Sequence, residues 1–294
     1  MKFKGLKLMV GVLSISLMTG LFSGCGNTTK SKSNISESPY SGEITALGSS
    51  ALQPLVEAAA KDFMNKHTEA TINVQGGGSG NGIKGVVEGS CEIGDSDIKA
   101  EEKLGDSELA KQLVDHKVCG IGFAVVVNNS VTVDSLTKQQ IQDIFTGKIT
   151  NWKQVGGEDM KIQVINRKSS SGTRATFIDT VMDGKREKQG LGTVQPENSG
   201  VRDAIKVTKG AISYLALSYI TDDIKKDVKI MKINGIGATT ENIKSGKYPF
   251  WSFEHMYTKG EAKGLTKSFL DFMVSDENKK NIKKLGYIPI SELK

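Results

Sequence analysis

The 294-residue sequence is poor in the residues that hold metals or act as activated nucleophiles, with three cysteines and three histidines. His67, His116 and His255 are far apart and show no ligand spacing, and no CxxC or CxxH pair occurs. A metal or redox centre needs such clusters, so no metal and no cofactor is expected. Three cysteines are also too few for a disulfide framework. Cys91 and Cys119 are expected as two buried small apolar side chains, with a bridge between them as the alternative. There is no Walker A string, and Gly77-Gly78-Ser79-Gly80 runs on into Asn81, so no G-x-S-x-G nucleophile elbow exists. Ser96-Asp97-Ile98-Lys99 fits S-x-x-K but lacks its S-D-N and K-T-G companions. Gly80-Asn81-Gly82-Ile83-Lys84-Gly85 fits the dinucleotide pattern G-x-G-x-x-G, yet is displaced into a helical stretch.

A basic tract interleaved with aromatics is also missing, which argues against a nucleic-acid partner. The formal net charge of +6 falls to +3 without the leader, which carries Lys2, Lys4 and Lys7 and no acid. That leader, residues 1–24, reads as a signal peptide: three lysines precede an apolar stretch from Leu8 to Phe22 that is too short to span a bilayer comfortably. Ser23-Gly24-Cys25 resembles a lipobox, with Phe22 where Leu is usual. Cys25 is then the acylated residue and the mature N-terminus, and the chain works at the extracellular face of the cell membrane. Residues 25–42, rich in Ser, Asn and Lys with Pro39, read as a flexible tether. About 250 residues remain, enough for one large or two ordinary domains.

What the sequence does have is three Ser/Gly-rich turns, each after an apolar run and before a helical pattern. They are Gly48-Ser49-Ser50-Ala51-Leu52, Gly76-Gly77-Gly78-Ser79-Gly80-Asn81-Gly82 and Arg167-Lys168-Ser169-Ser170-Ser171-Gly172-Thr173. A helix start leaves its first N–H groups unpartnered and carries the positive end of the helix dipole. Hydroxyls add donors there, and Gly lets the backbone approach a ligand. Three such turns converging make a cage of donors suited to a small oxyanion.

Hydrophobic periodicity predicts strands at Glu43–Leu47, Thr71–Val74, Glu92–Gly94, Ile121–Val127, Lys161–Ile165, Ala211–Leu215 and Lys229–Ile233. It predicts helices from Leu52 to Phe63, around Ile83–Val87, and at Ser135–Phe145, Gly172–Met182, Thr239–Lys244, Thr266–Val274 and Glu277–Lys284. The βαβαβ order arises twice, so two α/β lobes are expected. All three turns and Asp97 fall at carboxyl ends of strands, where open parallel sheets bind ligands.

Taken together, Gly48-Ser49-Ser50-Ala51-Leu52-Gln53-Pro54-Leu55, Gly76-Gly77-Gly78-Ser79-Gly80, Ile93-Gly94-Asp95-Ser96-Asp97, Ile144-Phe145-Thr146-Gly147, Asn151-Trp152 and Asn166-Arg167 with Ser170-Ser171-Gly172-Thr173-Arg174 resemble the phosphate-binding proteins of bacterial phosphate ABC transporters. The resemblance runs in order from about Ile44 to the C-terminus. It implies an α/β fold of the periplasmic-binding-protein type, two lobes joined by a two-segment hinge, with phosphate in the cleft. The lobes are expected at 44–126 plus 236–294 and at 127–235. The ligand residues it implies are Ser50, Ala51, Ser79 and Asp97 from the first lobe, and Arg167, Ser171, Gly172 and Thr173 from the second. The partners it implies are phosphate and the permease and ATPase subunits of a transporter, with the binding protein itself a monomer and no enzyme. Many relatives carry an Asp two residues after the arginine, where this sequence has Ser169.

The residue chemistry agrees. An arginine fork matches phosphate oxygens bidentately. Asp97 can accept a hydrogen bond from the O–H that hydrogen phosphate keeps at neutral pH, and repels sulfate, which keeps none. A site built around a donated proton discriminates by about 10⁴-fold, roughly 5 kcal/mol. The competing readings are a receptor for another tetrahedral oxyanion such as sulfate, an exported phosphatase, and a phosphate-sensing surface protein.

Overall fold

The structure, a computed structural model, describes residues 38–293. The leader, Cys25 and the tether as far as residue 37 lie outside the described residues. A first βαβαβ segment comprises β1 (Gly42–Gly48), α1 (Gln53–Lys66), β2 (Ala70–Gln75), α2 (Ser79–Glu88) and β3 (Ile93–Ser96). A short α3 (Ala100–Leu104) leads to β4 (Leu113–Asn128), then β5 (Ser135–Leu136) and α4 (Lys138–Phe145). A second βαβαβ segment follows: β6 (Gln163–Arg167), α5 (Gly172–Thr180), β7 (Thr193–Gln195), α6 (Asn198–Val207) and β8 (Ala211–Ala216). The chain continues through β9 (Val228–Ile230), β10 (Lys232–Ile233), α7 (Thr240–Lys244) and β11 (Trp251–Lys259). It closes with α8 (Gly264–Met273), α9 (Lys279–Lys284) and β12 (Ile288–Pro289).

The main sheet runs β2-β1-β3-β11-β4-β8-β6-β7. In each segment the first strand lies in the middle with parallel neighbours, β1 between β2 and β3 and β6 between β7 and β8. Two antiparallel strands, β11 and β4, join the two groups. β4 is shared between them: Leu113–Gly122 pairs with β11 and Phe123–Val127 with β8. Its residues from Val118 to Asn128 are all buried, as expected of an apolar run covered on both faces. Helices pack on the sheet by their apolar stripes. In α1 these are Leu55, Val56, Ala59, Ala60 and Phe63, all buried, with Pro54 tolerated in the first turn. Burying Leu55 or Phe63 contributes about 1.5–3 kcal/mol each.

Several boundaries differ from expectation for local reasons. The strand predicted over Lys229–Ile233 is two short ones, because the chain changes partner from β4 to β5. The helix predicted from Ser135 starts at Lys138, since Thr137 caps it: its Oγ1 accepts from Gln140 N at 3.1 Å and its N donates to the Gln140 amide at 2.8 Å. β7, α6 and β11 have no counterpart in the periodicity reading. β11 is the instructive case, a mid-sheet strand whose buried Glu254 and His255 break the apolar pattern of an interior strand. Cys91 and Cys119 are free and buried. Among the described residues no helix is long and apolar enough to cross a membrane.

Candidate functional site

The turn after β1 is held by a serine. Ser49 Oγ accepts hydrogen bonds from Ala51 N and Leu52 N, both at 3.0 Å, so it satisfies two otherwise unpaired donors ahead of α1. Its own hydrogen goes to Asp97 Oδ1. Ser50, the next residue, points elsewhere and meets the second βαβαβ segment.

The turn after β2 needs glycine. Gly78 has φ +94°, and a Cβ there would stand 2.6 Å from the Ser170 carbonyl oxygen. That close approach lets Gly80 N donate to Ser170 O at 2.9 Å. Ser79 at the start of α2 is fully buried, accepts from Asp97 N at 2.9 Å and donates to Asp97 Oδ1 at 3.2 Å.

Asp97, just past β3, is therefore gripped by hydroxyls of its own segment and by one from across the site. Thr173 Oγ1, in the first turn of α5, donates to Asp97 Oδ2 at 2.9 Å. Gly172 is what lets α5 come so near, because a Cβ on it would lie 2.2 Å from Ser79 Oγ and 2.9 Å from Asp97 Cβ. Ser171 caps α5 by accepting from Arg174 N at 3.2 Å.

Arg167 ends β6 and is 2% exposed. Its Nη2 donates to Ser50 Oγ at 3.4 Å and to the Pro196 carbonyl at 3.3 Å, while Nε and Nη1 have no partner among the described residues. No carboxylate forms a salt bridge with it among the described residues. Burial lowers the guanidinium from its ordinary value, against the opposing pull of Tyr214, Asp97 and Glu197. Ser169 is exposed. Arg174, one turn on, is committed elsewhere, its Nε and Nη2 gripping Glu187 at 2.9–3.2 Å with Tyr214 Oη donating to the same carboxylate at 3.0 Å.

All eight sequence-predicted residues are buried in one contiguous cluster at the carboxyl ends of parallel strands. Six, Ser50, Ser79, Asp97, Arg167, Gly172 and Thr173, stand as donors, acceptors or close neighbours of one another, while Ser171 caps its own helix. Ala51 belongs to the cluster, but its N–H is taken by Ser49.

Three residues escaped the sequence reading. Ser49, not only Ser50, belongs to the site. Asn198 opens α6 and is fully buried; its N and Nδ2 donate to Ser50 Oγ at 3.2 and 3.0 Å, and its Oδ1 accepts from Ala216 N. Three donors, two from Asn198 and one from Arg167, thus converge on one hydroxyl oxygen. A hydroxyl oxygen has only two lone pairs, so Ser50 Oγ is offered more donors than it can satisfy. The signal that could have found Asn198 was the repeat itself, since it starts the helix after the second strand of its segment, as Ser79 does in the first. Glu254 is the third, a fully buried carboxyl beside Ser49 and Asp97.

A buried, incompletely partnered guanidinium, two helix N-termini and serine and threonine hydroxyls suit an oxyanion. Asp97 adds an acceptor, which suits an anion that still carries a proton. A neighbouring cavity of about 450 Å³ is lined by Arg167, Lys168, Arg174, Arg186 and Lys188, with Glu187 as the acid among them. Such a lining raises the local concentration of anions.

Comparison with known proteins agrees with this chemistry. The PBP superfamily domain matches residues 33–277. The phosphate-binding protein PstS of Bacillus subtilis is 45% identical over 294 residues, covering 98% of this chain and 95% of that protein. A solved structure of a putative phosphate ABC transporter substrate-binding protein from Clostridium perfringens, with bound phosphate, superposes with TM-score 0.76 and 32% identity, over 85% of this chain and 100% of that one. An ABC-type phosphate transport receptor from Vibrio cholerae superposes with TM-score 0.66 and 29% identity, over 84% and 100%. With its two α/β segments, its oxyanion chemistry and these likenesses, the chain belongs to the PBP superfamily and, within it, to the phosphate-binding proteins of phosphate ABC transporters.

Proposed function

We propose that this protein binds inorganic phosphate outside the cytoplasm and delivers it to the permease of an ABC transporter. The observation that carries the reading is the pairing of a buried guanidinium whose Nε and Nη1 lack partners with a buried aspartate acceptor on the opposing segment. Hydrogen phosphate presents three acceptor oxygens and one O–H. The Arg167 fork, the Ser50 hydroxyl, the Ser79 and Thr173 hydroxyls once turned from Asp97 to the ligand, and the N–H groups of Gly172 and Thr173 supply the donors, with Ser171 holding the start of α5 and Ala51 lining the turn. Asp97 takes the O–H. Sulfate and other fully deprotonated tetrahedral oxyanions offer nothing to Asp97 and meet a like charge instead. Binding and release are the whole of the chemistry.

The two lobes are residues 44–126 with 236–294 and residues 127–235, closing about crossings near those boundaries. Support comes from β4, which changes partner from β11 to β8 between Gly122 and Phe123. Closure brings the two donor sets together, so the ligand itself favours the closed state. Acylation at Cys25 and the tether 25–42 keep the protein at the outer face of the membrane, within reach of the permease and its ATPase, as a monomer. Calorimetric titration with phosphate and with sulfate tests the reading. Tight phosphate binding with no sulfate response at millimolar concentration is expected; equal binding of both anions overturns it.

A further inference from the structure

Glu254 lies in β11, between β3 and β4 in the middle of the sheet. The pairing of β11 with β4 slips between Glu254 and His255: Glu254 faces Cys119 and His255 faces Lys117, which leaves Val118 as the extra residue of a bulge. Glu254 is 0% exposed, and neither of its carboxyl oxygens receives a hydrogen bond from the described residues.

The groups that face it are few. From the turn after β1 comes the Ser49 hydroxyl; from β3 and just beyond it, the carboxyls of Asp95 and Asp97. From β4 comes the Cys119 thiol, and from the residue before β12 the Tyr287 phenol. None is a cation. Burial and the neighbouring Asp97 and Asp95 push the Glu254 carboxyl well above the usual carboxylate range. Burial, then Asp97, pushes Asp95 up to about 8. An unpaired carboxylate in such a place is strongly disfavoured, whereas a protonated one is a hydrogen-bond donor.

The acceptor for that proton follows by elimination. Ser49 Oγ already accepts from two backbone N–H groups and gives its own hydrogen to Asp97. Of the two carboxyls, Asp95 stands opposite Met256 and Ser96 opposite His255 in the antiparallel pairing of β11 with β3, so the next residue of each strand brings Glu254 to Asp97. Resting on the phosphate reading above, we propose that Glu254 is a positioning residue of the site, a neutral acid buried behind Asp97 that donates its proton to the Asp97 carboxylate. Two carboxyls side by side can hydrogen-bond only when one keeps its proton, and here the inner one keeps it. The donated bond holds the Asp97 carboxylate as an acceptor turned toward the ligand, so that it takes the ligand's proton in a hydrogen bond. Without that bond the carboxylate is no longer held in that orientation and discriminates less well against sulfate.

Two variants and one spectrum test this. Glu254→Gln keeps a donor in place through its amide, and Glu254→Leu removes it. Sulfate competition is measured against phosphate binding at neutral pH. In Glu254→Leu the preference for phosphate over sulfate should fall by about tenfold, with Glu254→Gln close to the parent. A preference in Glu254→Leu equal to the parent's, in a parent that binds phosphate and rejects sulfate, overturns the role of Glu254 and leaves the phosphate reading standing. A parent that binds no phosphate overturns the reading itself. If the leucine variant does not fold, infrared spectroscopy decides. The parent at neutral pH should show the carbonyl band of a neutral carboxylic acid that Glu254→Gln lacks; identical spectra refute the proposal.

Discussion

The two βαβαβ segments use one backbone plan for opposite chemistry. In both, the first strand sits centrally, and the turns after the strands lead into helix N-termini at the site. The first segment arms those turns with Ser49, Ser50 and Ser79 and adds an acid, Asp97. The second uses Ser171, Thr173 and Asn198 and adds a cation, Arg167. Helix starts therefore give each half similar neutral donors, and Asp97 on one side and Arg167 on the other set them apart. In the proposed reading the acid takes the proton on the ligand and the cation meets its charge. Across the site the halves are already linked by Thr173 to Asp97 and by Arg167 to Ser50.

The sharpest way to break this comparison is to remove the cation. Arg167→Ala should cost about 2–5 kcal/mol of phosphate affinity, as for truncation of a buried charged partner. Arg174→Ala is the matched control, because Arg174 is spent on Glu187. Its effect should fall on thermal stability, by stranding the buried Glu187, and little on the dissociation constant. Equal losses of affinity in the two variants, measured by calorimetry, would erase the distinction between the two arginines.

Changing the acid should act on selectivity more than on strength. Asp97→Asn keeps the shape but can donate as well as accept, so sulfate should gain affinity by tenfold or more, about 1.4 kcal/mol, with a smaller change for phosphate. A variant that still ignores millimolar sulfate would mean that rejection comes from the donor geometry and not from Asp97.

The smallest expected effect belongs to the neutral donors. Asn198→Ala removes one side-chain donor toward Ser50 and should weaken phosphate binding by about 0.5–1.5 kcal/mol. It also strands Ala216 N, which Asn198 Oδ1 now accepts, so the melting temperature should fall even without ligand. An affinity loss as large as that of Arg167→Ala would show that Asn198 organises the site rather than contributing one bond.

Much of the site was legible because its chemistry is local. A glycine before a helix start, a hydroxyl at its cap and an arginine at a strand end can be read from neighbours in sequence, as at Gly78, Ser171 and Arg167. The residues that escaped are those whose role depends on distant partners. Ser49 and Ser50 are equivalent in the sequence, yet one turns toward Asp97 and the other toward Arg167 and Asn198. Asn198 meets Ser50 across 148 positions of chain. β11 was hidden because Glu254 and His255 look like surface residues until the sheet closes over them.

By itself, the sequence determined the first βαβαβ segment, β6, α5 and β8 of the second, the turns that start their helices, and the stock of hydroxyls and charges at the strand ends. Those depend on hydrophobic period, glycine conformation and capping, which act over a few residues. Tertiary structure alone decided which oxygen each donor meets, that Arg167 has no carboxylate partner in a salt bridge among the described residues, and that an acid from β11 stands behind Asp97. Hydrogen bonds and desolvation act over a few ångströms in space, whatever the separation along the chain, so only the folded sheet could bring Ser49, Asp97 and Glu254 within reach of one another.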